Sequence, residues 1–117
     1  MRQVAERHDA GRQAPLTEPV LLILMSLAEK PRHGYALMRD IESLSDGRVR
    51  LSTGTMYGAL RRLLDDLWIE RFAQEDTSRD KQSYRITPAG RAHLRAELER
   101  MKQLTRAGAA RLRMSEA

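Results

Sequence analysis

Residues Leu51–Trp68 read LSTGTMYGALRRLLDDLW: small hydroxyl residues around a glycine, then leucines at helical spacing with two adjacent arginines among them. Ser52 is the expected N-cap and Leu51 and Met56 are placed as a hydrophobic staple. Met56, Leu60, Leu63, Leu64 and Leu67 then share one side as a core stripe, which leaves Tyr57, Arg61 and Arg62 on the other.

The flanking sequence supplies partners for this helix. Upstream, Thr17 caps a segment with Pro19 in its first turn, and Leu16 is placed to staple against Leu21. Val20, Leu21, Ile23, Leu24 and Leu27 go nearly all the way round it, so it is expected to be central and buried on most sides. Lys30-Pro31 ends that helix. His33-Gly34 opens a second one through Ser45 with Leu37, Met38, Ile41 and Leu44 as its apolar stripe, and Asp46-Gly47 is a turn. Downstream, Trp68–Glu75 and Gln82–Ile86 mix β-branched or aromatic residues with polar ones and predict a hairpin whose polar tip is Asp76–Lys81. Thr87-Pro88 pairs a capping residue with proline at the first helical position, and a last helix follows. Three helices, a hairpin and a further helix predict a mainly α fold with a small β-hairpin: a winged helix-turn-helix extended by a C-terminal dimerisation helix. Residues 1–15 read as an N-terminal arm, flexible or a short helix, 16–86 as the winged domain, and 87–117 as the dimerisation helix and tail.

With 117 residues the chain suffices for one compact domain. Its 41% hydrophobic and 32% charged content is that of a soluble globular protein. The longest apolar run, Val20–Met25, falls far short of the ~20 residues that cross a bilayer, and the charged start lacks the apolar core of a secretory signal. Without cysteine there is no disulfide, thiolate metal site or cysteine nucleophile, and the cytoplasm is the expected compartment. A net charge of +5 favours polyanionic partners, although +4 of it lies in Thr87–Ala117. His8, His33 and His93 show no paired ligand spacing, and neither a P-loop, a nucleophile elbow nor a dinucleotide-binding glycine pattern occurs. No enzyme, cofactor or metal is expected. His33 beside Gly34 reads as a structural cap, and Trp68 as a core or interface plug.

Three blocks, HGYALMRDI from His33, LSTGTMYGALRRL from Leu51 and YRITPAGRAHL from Tyr84, follow one another at a spacing that resembles the PadR family of bacterial transcriptional regulators. The resemblance covers roughly Leu16 to Leu104. Asp66-Leu67-Trp68-Ile69 stands where the family usually places a glycine before the first wing strand, and the tip Thr77–Lys81 is less basic than is usual. The resemblance implies a winged helix that binds operator DNA, repression as the habitual outcome, and dimerisation through the last helix.

The residues allow a physical reading beside it. A helix entering the major groove needs a first turn without bulk, so that free backbone N–H groups and short side chains approach phosphates and base edges. Ser52, Thr53, Gly54 and Thr55 supply such a turn, Tyr57 offers a phenol to a phosphate or thymine methyl, and Arg61 reaches backbone or guanine. Alternatively Ser52 and Thr55 only cap the helix, while Arg61 and Arg62 pair with Asp65 and Asp66 as a solvated face. At the wing, Arg79 and Lys81 are the candidate phosphate contacts, with Arg85 farther down the strand and Asp76 and Asp80 opposing them. In the last helix Leu94, Leu98, Met101, Thr105 and Leu112 approach a heptad seam, which suits the same helix of a second subunit. Two recognition helices would then meet half-sites about one helical turn, ~34 Å, apart. The expected protein is a homodimeric repressor on a palindromic operator, with a small-molecule effector as a further partner. Its rivals are a winged helix used as a protein-interaction module and, more faintly, a small-molecule carrier.

Overall fold

The structure, a computed structural model, describes residues 14–72 and 82–116. Its elements run α1 (Glu18–Glu29), β1 (Arg32–His33), α2 (Gly34–Leu44), α3 (Thr53–Asp65), β2 (Ile69–Phe72), β3 (Ser83–Ile86) and α4 (Pro88–Glu116). By their internal contacts the residues form two units, one spanning Thr17–Leu94 and one holding α4 from Arg95 onward.

Local capping sets each helix start in the first unit. The Thr17 side chain accepts from the Val20 amide, His33 Nδ1 from the Ala36 amide, and Ser52 Oγ from the Thr55 amide at 3.1 Å. Thr87 does more than cap α4. Its hydroxyl accepts from the Gly90 amide at 3.1 Å and donates to the Leu67 carbonyl at 2.7 Å, while its own amide donates to the Trp68 carbonyl. The end of α3 and the start of α4 are thereby tied together. A Cβ on Gly90 would lie 2.1 Å from the Trp68 carbonyl oxygen, so only glycine fits there.

α1 is the centre of the unit, with Leu22, Ile23, Leu24 and Leu27 buried and contacts to α2, α3 and β3. Leu37 and Ile41 of α2, Met56, Leu60 and Leu63 of α3, and Ile69 and Ile86 of the sheet close the core around it. A polar contact joins α1 to α2: buried Ser26 donates to Asp40 at 2.6 Å, and Arg32 reaches Asp40, Glu29 and the Ser26 carbonyl. Trp68 stacks on His93 at 4.0 Å between ring centroids, where burial lowers the imidazole pKa.

The expected hairpin is present with an addition. β1 pairs antiparallel with β3, Arg32 opposite Tyr84, giving a three-stranded sheet in the order β1-β3-β2. Residues 73–81, which include Arg79, Lys81 and the rest of the expected hairpin tip, lie outside the described residues, as does the arm up to residue 13. Two expected core leucines are not core. Leu44, in the last turn of α2, is exposed, and Leu67 lies beyond the end of α3 with a left-handed backbone (φ 64°) and 71% exposure. The helix whose repeat placed Leu67 on the inner side ends at Asp65, two residues before it.

In the second unit the Glu97 carboxylate is buried and accepts from Arg100 at 2.7 Å and from the Leu16 amide at 3.3 Å. The hydrogen bond from Arg100 is the main reason its pKa lies below the ordinary glutamate value.

Candidate nucleic-acid interface

The candidate surface is built on α3. Its inner side, Met56, Ala59, Leu60 and Leu63, is buried, and this fixes which residues face outward. Ser52, Thr53, Gly54 and Thr55 are all exposed at its start, followed along the same side by Tyr57, Gly58 and Arg61. Ser52 Oγ is the cap and also donates to the Thr55 hydroxyl at 3.0 Å, whereas Thr55 caps nothing itself. The amides of Thr53 and Gly54, at the first two positions of the helix, have no intrahelical acceptor and point toward the open end. A Cβ on either Gly54 or Gly58 would meet nothing within 4 Å. The chain itself therefore gives no steric reason for glycine at these two positions.

The ion-pair half of the alternative reading does not hold. Among the described residues Arg61 and Arg62 enter no ion pair with Asp65 or Asp66. Both guanidinium groups are exposed and available. Arg85 is different, since it is engaged by its cross-strand partner Glu70 at 2.7 Å and lies over the Phe72 ring.

Tyr57 is 45% exposed and its phenol lies against the start of α2, where a Cβ on Gly34 would come 2.3 Å from the hydroxyl oxygen. The glycine of the His-Gly-Tyr block thus gives the tyrosine of the α3 block its position. Tyr35, in the same block, is exposed with Arg39 over its ring at 5.7 Å.

A cleft of about 500 Å³ separates α3 from the sheet, and Tyr57, Leu60, Arg61 and Asp65 line it from the helix. Arg71 and Tyr84 line it from the strands. Arg71, like Gly58, was not singled out from sequence, and Tyr84 was noted only as the start of the YRITPAGRAHL block and not as part of this surface. A glycine in mid-helix was a readable signal, whereas Arg71 and Tyr84 become neighbours only through strand register.

Of the expected seam residues in α4, Leu94 is 6% exposed and is already buried within the single chain. Leu98 at 41% and Met101 at 38% remain open, as do Leu104 and Leu112. Among the described residues no group of His, Asp and Glu could hold a metal ion, and no helix is long and apolar enough to cross a membrane.

The chain matches the transcriptional regulator PadR-like family over residues 23–96. It is 36% identical over 85 residues, 73% of its length, to an uncharacterized 37.1 kDa protein in transposon TN4556 of Streptomyces fradiae, and spans about a quarter (23%) of that protein's length. Among solved structures, it is similar to a transcriptional regulator from Clostridium thermocellum at 25% identity and a TM-score of 0.67, over 79% of this chain and 87% of that one. A PadR family transcription regulator from Clostridium difficile shares the fold at 21% identity and a TM-score of 0.69, over 82% of this chain and 99% of that one.

Proposed function

The chain belongs to the PadR-like family of transcriptional regulators, and from that premise we propose that it is a sequence-specific DNA-binding regulator acting as a homodimeric repressor. In this reading Ser52, Thr53, Thr55, Tyr57 and Arg61 approach the operator, Arg79 and Lys81 contact phosphates from the wing, and Leu94, Leu98 and Met101 belong to the dimer seam. The operator is a palindrome, matching the two-fold symmetry of the dimer, and a small-molecule effector releases it.

The observation that carries the reading is the outer side of α3. It combines exposed hydroxyl residues, two glycines with open space above them and an arginine without a counter-ion, on a helix whose other side is wholly buried. Close approach is what major-groove docking requires, and uncommitted guanidinium is the group that reads guanine or neutralises phosphate.

The test is selection from a library of DNA duplexes at two salt concentrations, with Arg61→Ala and Tyr57→Ala beside the wild type. A two-fold symmetric site should be selected, its affinity should fall with salt, and Arg61→Ala should weaken it by about 1–3 kcal/mol. Binding without sequence preference and unchanged in both variants would replace this reading with that of a protein-interaction module.

A further inference from the structure

The cleft between α3 and the sheet contains a group that the recognition helix alone does not explain. Tyr84 is only 5% exposed and lines the cleft, yet its hydroxyl has no hydrogen-bond partner among the described residues. Because Tyr84 lines the cleft, its hydroxyl is a donor available to a group that enters there. A phenol is protonated at neutral pH and can donate; burial, and then the neighbouring Tyr57, raise the Tyr84 pKa further, against Arg71, which lowers it.

The surroundings of that hydroxyl define the ligand's chemistry. Arg71 is the cross-strand partner of Tyr84, so the two side chains leave the same face of the sheet. Arg61 lines the cleft from the helix side, and neither arginine has a counter-ion among the described residues. One carboxylate, Asp65, also lines the cleft, which leaves two guanidinium groups against it. Two guanidinium groups and two phenols make a set of donors suited to a tetrahedral oxyanion.

We infer that this cleft holds a phosphodiester of the DNA backbone, gripped by Arg71 and Tyr84 of the sheet and Arg61 of α3. The inference rests on the DNA-binding reading above and adds two residues and a third structural element to it. A cleft of about 500 Å³ is an open trough rather than a closed cage, and it lies beside the exposed side of α3. A strand of sugar-phosphate bordering the groove entered by α3 would run through it, and the contacts would fix register without reading sequence.

The test uses the full chain and its selected duplex, unmodified or with single phosphates replaced in turn by uncharged methylphosphonate. The variants are Arg71→Gln and Tyr84→Phe, the second of which removes only the hydroxyl. Wild type should lose about tenfold or more in affinity at one phosphate per half-site. Both variants should bind the unmodified duplex about tenfold more weakly and lose less than wild type does on that replacement, Arg71→Gln least of all. Arg71→Gln should also flatten the slope of log affinity against log salt by about 0.9 per cleft, whereas Tyr84→Phe should leave the slope unchanged. If both variants keep wild-type affinity and wild-type sensitivity to methylphosphonate while Arg61→Ala binds weakly, the cleft assignment is wrong and the DNA reading stands. If wild type binds no duplex, both fall. Inorganic phosphate alone is the control for a free-anion site: saturation at micromolar phosphate that Tyr84→Phe abolishes, with DNA affinity intact, would overturn the backbone assignment.

Discussion

At Leu67 one residue departs from what its own surroundings call for. The Trp68 amide donates to the Leu63 carbonyl at 3.0 Å and the Leu67 amide to the Leu64 carbonyl at 3.1 Å, the pair of bonds that closes a helix when the residue beyond its end turns left-handed. Glycine takes that conformation freely, whereas a leucine there costs about 1–2 kcal/mol from its Cβ. Leu67 recovers little by burial, because its side chain is mostly in water. Leu67→Gly should therefore stabilise the fold by ~0.5–1 kcal/mol, the strain relieved exceeding the extra chain entropy of glycine in the unfolded state. Urea denaturation followed through Trp68, the one tryptophan of the chain, measures this directly. A lower midpoint in the variant would mean that the leucine makes a contact worth more than its strain.

The elements divide by how local their causes are. Thr17, His33, Ser52 and Thr87 all cap the helices they were expected to start, because a cap is a bond between residues three apart and the sequence displays both ends of it. β1 could not be read, since two residues carry no alternation and Arg32–His33 is a strand only by virtue of Tyr84 and Ser83, some fifty positions away. The pairing of Arg71 with Tyr84 was not legible for the same reason, being made by register rather than by proximity in the chain. The exposed half of α3 was legible from its small residues, although the ion pairs suggested by its arginines and aspartates do not form. Two glycines show how context separates structure from function within these elements. Gly90→Ala should cost several kcal/mol, as its Cβ would strike the Trp68 carbonyl. Gly58→Ala should instead gain up to about 1 kcal/mol, since alanine is the better helix former and the space above it is open. The same variant should weaken DNA binding, because the added methyl group stands on the side that must approach the groove. Thermal unfolding and duplex titration of Gly58→Ala, run together, should move in opposite directions. A more stable protein with undiminished affinity would show that this side of α3 does not meet DNA.

For the whole molecule the open question is what covers α4. Beyond Leu94, which the chain buries itself, Leu98 and Met101 follow at the steps of four and three residues that define a two-helix seam, and Leu112 continues it after Thr105 and Gly108. The weak positions come late, so the seam should draw most of its strength from Leu98 and Met101. Each buries an apolar side chain worth about 1.5–3 kcal/mol, and a two-fold axis counts every contact twice. Replacing both with glutamate also places like charges across the axis. On the proposed dimer, the double variant Leu98→Glu, Met101→Glu should therefore sediment as a monomer while the wild type sediments as a dimer, with its far-ultraviolet helical signal at neutral pH largely retained because both positions are exposed in the single chain. Its affinity for a two-fold operator should fall by at least about a hundredfold, the loss of one half-site's worth of specific contacts, whereas its affinity for an isolated half-site should hardly change. A variant that stays dimeric and binds the full operator as before would place the subunit contact outside this seam. One that loses the half-site as well would show that α4 supports the recognition surface itself, not only its duplication.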